Sequence, residues 1–110
     1  MANLCLLADE MADHWEIGPR PLAVGRDETA DIIIDDQALS RRHFLIVQEG
    51  PEYFLQDLDS QNGTWVDGHR TQRTCRKLNH HDCIVAGRTV FLFSEPRPQV
   101  TLSSPKAWAA

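Results

Sequence analysis

Arg26, Ser40, Arg41 and Asn62 are the residues of this chain whose types and spacing point to shared chemistry. They fall in three short polar segments: Gly25-Arg26, Ser40-Arg41-Arg42-His43 and Ser60-Gln61-Asn62-Gly63-Thr64. A guanidinium offers a planar fork of donors that can grip two oxygens at once. A serine hydroxyl is a short, fixed donor. A side-chain amide donates and accepts together, which suits a peptide main chain better than a charge. Phosphothreonine carries about −1.5 to −2 charge near neutral pH and three strong acceptor oxygens. The set therefore suits a phosphorylated peptide. Gly25 and Gly63 free the backbone to turn sharply beside these groups.

Other chemistry fits the same residues poorly. A nucleophilic set drawn from Ser40, His43 and Asp57 has no glycine-flanked elbow and no evident oxyanion hole. A metal site drawn from His69, Cys75, His80, His81 and Cys83 matches no common zinc spacing. Recognition without catalysis, metal or cofactor is the expectation.

The elements that must position these groups are short. Apolar runs of a few residues alternate with turn signals, the pattern of an all-β sandwich or barrel. Strands are expected over Leu4–Leu7, Trp15–Ile17, Pro21–Val24, Ile32–Ile34, His43–Gln48, Tyr53–Leu58 and Thr64–Val66. Asp67-Gly68 is a type I′ turn signal. Cys83–Val85 and Val90–Phe93 form a late hairpin across Ala86-Gly87-Arg88. Ala8–Asp13 is too short for a trusted helix. Trp65, Phe44, Phe54, Phe91 and Phe93 are expected in the core or on strand surfaces.

The totals agree. The 110 residues make one domain, 42% hydrophobic and 25% charged, so the chain is globular. A net charge of −5 argues against a nucleic-acid module, which usually carries a basic balance. Three cysteines without a Cys-x-x-Cys pair argue against a disulfide framework. No apolar run is long enough to span a bilayer and no leader pattern precedes the first strand, so a soluble, cytoplasmic protein without membrane insertion is expected. The domain is expected over residues 1–95. Residues 96–110, with Pro96, Pro98 and Ser103-Ser104-Pro105, are expected to form a flexible tail. Thr101 in that tail would be a candidate for phosphorylation.

In order and spacing, the segments resemble a forkhead-associated (FHA) domain, a phosphothreonine-binding β-sandwich. The resemblance runs from about Pro21 to Phe93. It includes Gly25-Arg26, Asp31 to Asp35, Ser40-Arg-Arg-His43, Asp57-Leu-Asp-Ser-Gln-Asn-Gly-Thr64, Val66-Asp67-Gly68, Leu78, Asp82 and the last apolar strand. It implies a two-sheet, FHA/SMAD-like sandwich with the ligand site on loops at one end. It also implies that Arg26, Ser40 and Arg41 hold the phosphate, and that Gln61 lies where an amide often touches it. Asn62 would bond the peptide backbone, with His43, Gly25 and Gly63 supporting the site. The partner implied is a threonine-phosphorylated protein in Ser/Thr kinase signalling, with this chain as a non-catalytic adaptor. The alternative is a phosphate-independent interaction or self-association through a sheet face. The chain departs from the family pattern in having His81 where Gly often precedes the late Asp, and Gln61 where a small or hydroxylated residue is common. Arg70, Arg73 and Arg76 would make a basic wall favouring acidic residues in the ligand.

Overall fold

The computed structural model describes residues 2–7, 13–71 and 75–95. Every regular element among them is a β-strand. The strands are β1 (Ala2–Leu6), β2 (His14–Ile17), β3 (Leu22–Gly25), β4 (Ile32–Ile33), β5 (Phe44–Glu49), β6 (Glu52–Asp57), β7 (Thr64–Val66), β8 (His69–Arg70), β9 (Arg76–Leu78), β10 (Cys83–Ala86) and β11 (Thr89–Ser94). They form a six-stranded sheet in the order β2-β1-β11-β10-β7-β8 and a five-stranded sheet in the order β4-β3-β5-β6-β9. The pairs are antiparallel except β3 with β4. The Ala8–Asp13 segment (except Asp13), Arg73 and Thr101 lie outside the described residues, as does the expected tail.

Burial alternates along the strands, and this makes the sandwich. In β11, Thr89, Phe91 and Phe93 are buried while Val90, Leu92 and Ser94 are half-buried, because successive side chains of a strand face opposite ways. β5 buries Phe44 and Ile46, and β6 buries Tyr53 and Leu55. The two sheets meet through aromatic pairs. Phe44 of β5 meets Phe91 of β11 edge-to-face at 5.7 Å, and Tyr53 of β6 meets Phe93 at 5.5 Å. Such pairs add about 1 kcal/mol each beyond the area they bury.

β8 and β9 were not expected from the sequence. They have two and three residues, and carry His69, Arg70, Arg76 and Lys77. Each lies at an edge of its sheet, where charge discourages pairing with a further strand and no apolar alternation is required. Asp67 and Gly68 both have positive φ, as a type I′ turn requires, and link β7 to β8.

Strand direction decides where the polar segments go. β3 ends, β5 begins, β6 ends and β7 begins at one end of the sandwich, with Val24 opposite Phe44, and Phe44 opposite Asp57. The Gly87-Arg88 turn between β10 and β11 joins them, since Ala86 pairs with Thr64. The loops after β3, before β5 and between β6 and β7 therefore share one rim.

Candidate functional site

Three loops are braced against one another at this rim. The loop between β4 and β5 is pinned from within by Leu39, which is 2% exposed inside the core. Burying a leucine stabilises by about 2 kcal/mol, enough to fix the loop's course. The Leu39 carbonyl accepts a 2.7 Å hydrogen bond from Arg26 Nε. One residue thus anchors the loop with its side chain and aims the Arg26 guanidinium with its main chain. Arg26 is exposed, and its two terminal nitrogens have no acceptor among the described residues. Main-chain bonds from Arg26 N to Ser40 O (3.2 Å) and from Asp27 N to Arg41 O (3.1 Å) zip the first two loops together. Gly25 makes that approach feasible, since a Cβ there would lie 2.0 Å from Arg41 O.

His43 is fully buried and joins the second loop to the third. Its Nδ1 accepts from the Ser40 N–H at 3.0 Å, and its Nε2 lies 2.7 Å from Gly63 O. An amide N–H can only donate and a carbonyl can only accept, so the Nε2–H tautomer satisfies both. Both ring nitrogens are engaged with the main chain. His43 does not touch the Ser40 hydroxyl, so Ser40, His43 and Asp57 do not form a nucleophilic relay.

Ser40 Oγ accepts from the Gln61 N–H at 3.0 Å, which leaves its own proton for another acceptor. Gln61 is exposed, and with its main-chain N–H committed it presents its side-chain amide to solvent. Asn62 Nδ2 donates to Ala38 O at 2.8 Å, so the amide is fixed while Oδ1 has no partner among the described residues. Arg41 is exposed beside Asp27. Hydrogen bonds from Thr29 are the main cause holding the Asp27 carboxyl below its ordinary value, with the Arg41 charge adding to them.

Two carboxylates hold this rim and were not singled out as site residues from the sequence. Asp57 accepts from Ser60 N (2.9 Å), Ser60 Oγ (2.5 Å) and Thr64 Oγ1 (2.7 Å), and so shapes the third loop. Burial pushes its pKa up, but the bonds from Ser60 and Thr64 outweigh that and leave it below the ordinary value. Asp36 accepts from Ala38 N (2.9 Å), Arg88 N (2.8 Å) and Thr89 Oγ1 (2.7 Å), tying the second loop to the opposite sheet. Its pKa is likewise raised by burial and lowered further by these bonds. Asp57 had a local signal, since Ser and Thr follow at three and seven residues. Asp36 has a local partner in Ala38 N, but nothing nearby in sequence marked its reach to Arg88 and Thr89, more than 50 residues away.

Arg26, Ser40, Arg41, Gln61 and Asn62 are brought together here, with Gly25, His43 and Gly63 behind them. Arg42 is exposed. Of the expected basic wall, Arg70 lies on β8 and Arg76 on β9, in different sheets, so the described part is split between two edges. Among the described residues, no cluster of three or more potential metal ligands occurs and no helix is long and apolar enough to cross a membrane.

The FHA domain profile matches residues 22–87. The chain belongs to the FHA domain family. The FHA domain here is similar, at 39% identity over 72 residues, to an oxoglutarate dehydrogenase inhibitor from Corynebacterium jeikeium. That match covers 64% of this chain and 49% of the relative. It is 33% identical over 51 residues to the FHA domain-containing protein FhaB of Mycolicibacterium smegmatis, covering 46% of this chain and 33% of the relative. The chain thus spans between a third and about half of the length of these relatives. Among solved structures, an FHA domain studied for phosphothreonine-dependent interactions matches with a TM-score of 0.81 at 27% identity, covering 88% of this chain and 98% of the other. The FHA domain of CT664 from Chlamydia trachomatis matches with a TM-score of 0.82 at 26% identity, covering 87% of this chain and 98% of the other.

Proposed function

We propose that this FHA domain binds phosphothreonine on a partner protein and acts, without catalysis, as an adaptor in intracellular Ser/Thr kinase signalling. Arg26, Ser40 and Arg41 hold the phosphate, with the Gln61 side-chain amide beside them. Asn62 holds the peptide main chain through its Oδ1. Gly25, His43 and Gly63 keep the three loops in place. Residues 1–95 carry this function, and residues 96–110 are appended to it.

The observation that carries the proposal is the state of the donors. The Arg26 guanidinium is aimed by Leu39 O through Nε, yet keeps its terminal N–H groups for an oxyanion. The Ser40 hydroxyl has its lone pair engaged by Gln61 N–H and its proton available. Hydrogen bonds to a charged group contribute about 1.5–3 kcal/mol each. Three or four together contribute about 5–12 kcal/mol, and what remains after the cost of ordering a peptide sets the affinity. One buried methyl contributes about 0.8 kcal/mol, so a strong preference for phosphothreonine over phosphoserine requires the methyl to orient the phosphate as well.

The test is a titration of one peptide in phosphothreonine, phosphoserine and unmodified forms into the wild-type protein and Arg26→Ala. Binding of the phosphothreonine form alone, weakened about 10- to 100-fold by the substitution, is expected. Equal binding of all three forms would move the function to a sheet face, where the domain would bind its partner or itself without phosphate.

A further inference from the structure

We infer that Arg70 reads an acidic side chain of the ligand, on the flank of the phosphothreonine where the peptide passes Asn62. The inference rests on the phosphothreonine reading above and adds a preference to it. Arg70 sits on the two-residue edge strand β8, directly across from Trp65 of β7. Its guanidinium lies over the indole, 5.4 Å from the ring centroid. The same guanidinium rests against the main chain of the third loop, since a Cβ at Gly63 would lie 2.6 Å from Arg70 Nε and 2.9 Å from an Nη. Gly63 has a φ of +84°, and the absent side chain leaves the guanidinium its place beside Asn62.

This arrangement differs from that of an ordinary surface arginine. The indole under it and the Gly63 main chain beside it confine the group, so it has less rotamer freedom to lose when a carboxylate arrives. A cation–π contact uses none of the guanidinium's N–H groups as hydrogen-bond donors to a carboxylate, so its fork is kept for a bidentate partner. Arg70 is exposed and has no carboxylate partner among the described residues; the ion pair seen there joins Lys77 to Glu52 on the other sheet. Gly63 follows Asn62 directly and its carbonyl lies on His43 Nε2, so Arg70 borders the same loop that grips the peptide. An arginine that merely covered Trp65 would produce the same packing and no ligand preference, and the experiment separates these two roles.

The experiment measures affinities of phosphothreonine peptides in which each flanking position is, in turn, Ala, Glu or Lys, with unmodified-threonine peptides alongside. In the wild-type protein one flank is expected to favour Glu over Ala by about fivefold, the scale of an exposed charge pair. Arg70→Gln is expected to erase that preference while still telling phosphothreonine from threonine, and Arg70→Glu to favour Lys at the same position. Should Arg70→Gln fail to fold, Arg70→Lys carries the test. It keeps the charge, loses the planar fork, and is expected to weaken the preference. No acidic preference in the wild-type protein, or one that survives every Arg70 variant, overturns the inference and leaves phosphothreonine binding intact. Failure of the wild-type protein to tell phosphothreonine from threonine overturns the underlying reading and the inference together.

Discussion

The two ends of the sandwich are both made of turns, yet they are held in different ways. At the end away from the site, bonds are mostly local. Gln48 Nε2 donates to Gly50 O at 3.1 Å, and Asn79 N to Asp82 Oδ2 at 2.8 Å. The longer links there, such as Cys83 N–H to Asp67 Oδ1, join adjacent strand ends. At the site end local bonds such as Ser60 to Asp57 and Ser40 to His43 are joined by a set that runs between loops far apart in sequence: Arg26 to Leu39, Ser40 to Gln61, Ala38 to Asn62, His43 to Gly63 and Asp36 to Thr89. A turn that only reverses the chain can be satisfied by its own residues. A site assembled from several loops must fix their relative positions, or a ligand would have to supply that ordering from its own binding energy. Changes at the far end should therefore alter stability alone, while changes at the site end should alter stability and binding together.

Gly25→Ala tests this most severely. The new Cβ would lie 2.0 Å from Arg41 O and 2.9 Å from Arg42 Cα, both main-chain atoms that cannot swing aside. Overpacking of this kind costs about 3 kcal/mol or more. Urea unfolding should show the loss, and phosphothreonine peptide binding should fall with it, because the first two loops are forced apart. A variant that is destabilised but binds with unchanged affinity would break the coupling claimed for this end.

His43→Ala comes next. It leaves the Ser40 N–H without the imidazole acceptor and the Gly63 carbonyl without its ring partner, in a fully buried position. An unsatisfied buried group costs about 1–3 kcal/mol, so a loss of about 2–4 kcal/mol is expected. Affinity should drop as well, although the imidazole itself touches no ligand. The check is to compare unfolding midpoints with peptide affinity at a temperature where the variant is still folded.

Asp57 gives a pH-dependent version of the same test. Its folded pKa lies below the ordinary carboxylate value, since the Ser60 and Thr64 bonds outweigh burial. A depressed folded pKa means that the stabilisation is fully present above the unfolded value, near 4, and is lost as pH falls through the folded value. Asp57→Asn keeps the shape but cannot accept at both positions. Its stability deficit relative to wild type should be constant from about pH 8 to pH 5 and shrink below pH 4. A deficit independent of pH would mean that the carboxylate charge is not what organises the third loop.

How far the sequence revealed this molecule follows from the range of each interaction. The long strands were legible because their signal is local: β5, β6 and β11 each carry a short apolar run rich in aromatic and β-branched residues within six residues. The Asp67-Gly68 turn was legible because two positive φ values call for that residue pair. β8 and β9 were not, because strands of two and three residues, His69-Arg70 and Arg76-Lys77-Leu78, are too short to show a period. The segments holding Arg26, Ser40 and Asn62 stood out by their residue types. What aims them did not: Leu39 looks like a stray apolar residue in a polar loop until the fold buries it. Asp36 gave no sign of reaching Thr89, 53 residues away.

The smallest expected effect belongs to the far end, at His81. Its φ is +71°, in the left-handed region that costs a side-chain-bearing residue about 1–2 kcal/mol. Glycine, common at this position in the family, would relieve that strain. Two terms oppose the gain: the unfolded chain becomes more flexible, and the ring stacked 3.7 Å from that of His80 is lost. The main-chain bond from His81 N to Phe93 O at 2.8 Å survives either way. His81→Gly should thus raise stability by about 0–1 kcal/mol, seen as a small shift in the urea midpoint, and leave phosphothreonine peptide affinity untouched. An affinity change would mean that strain at one end of the sandwich reaches loops at the other, and that the two ends are not separable after all.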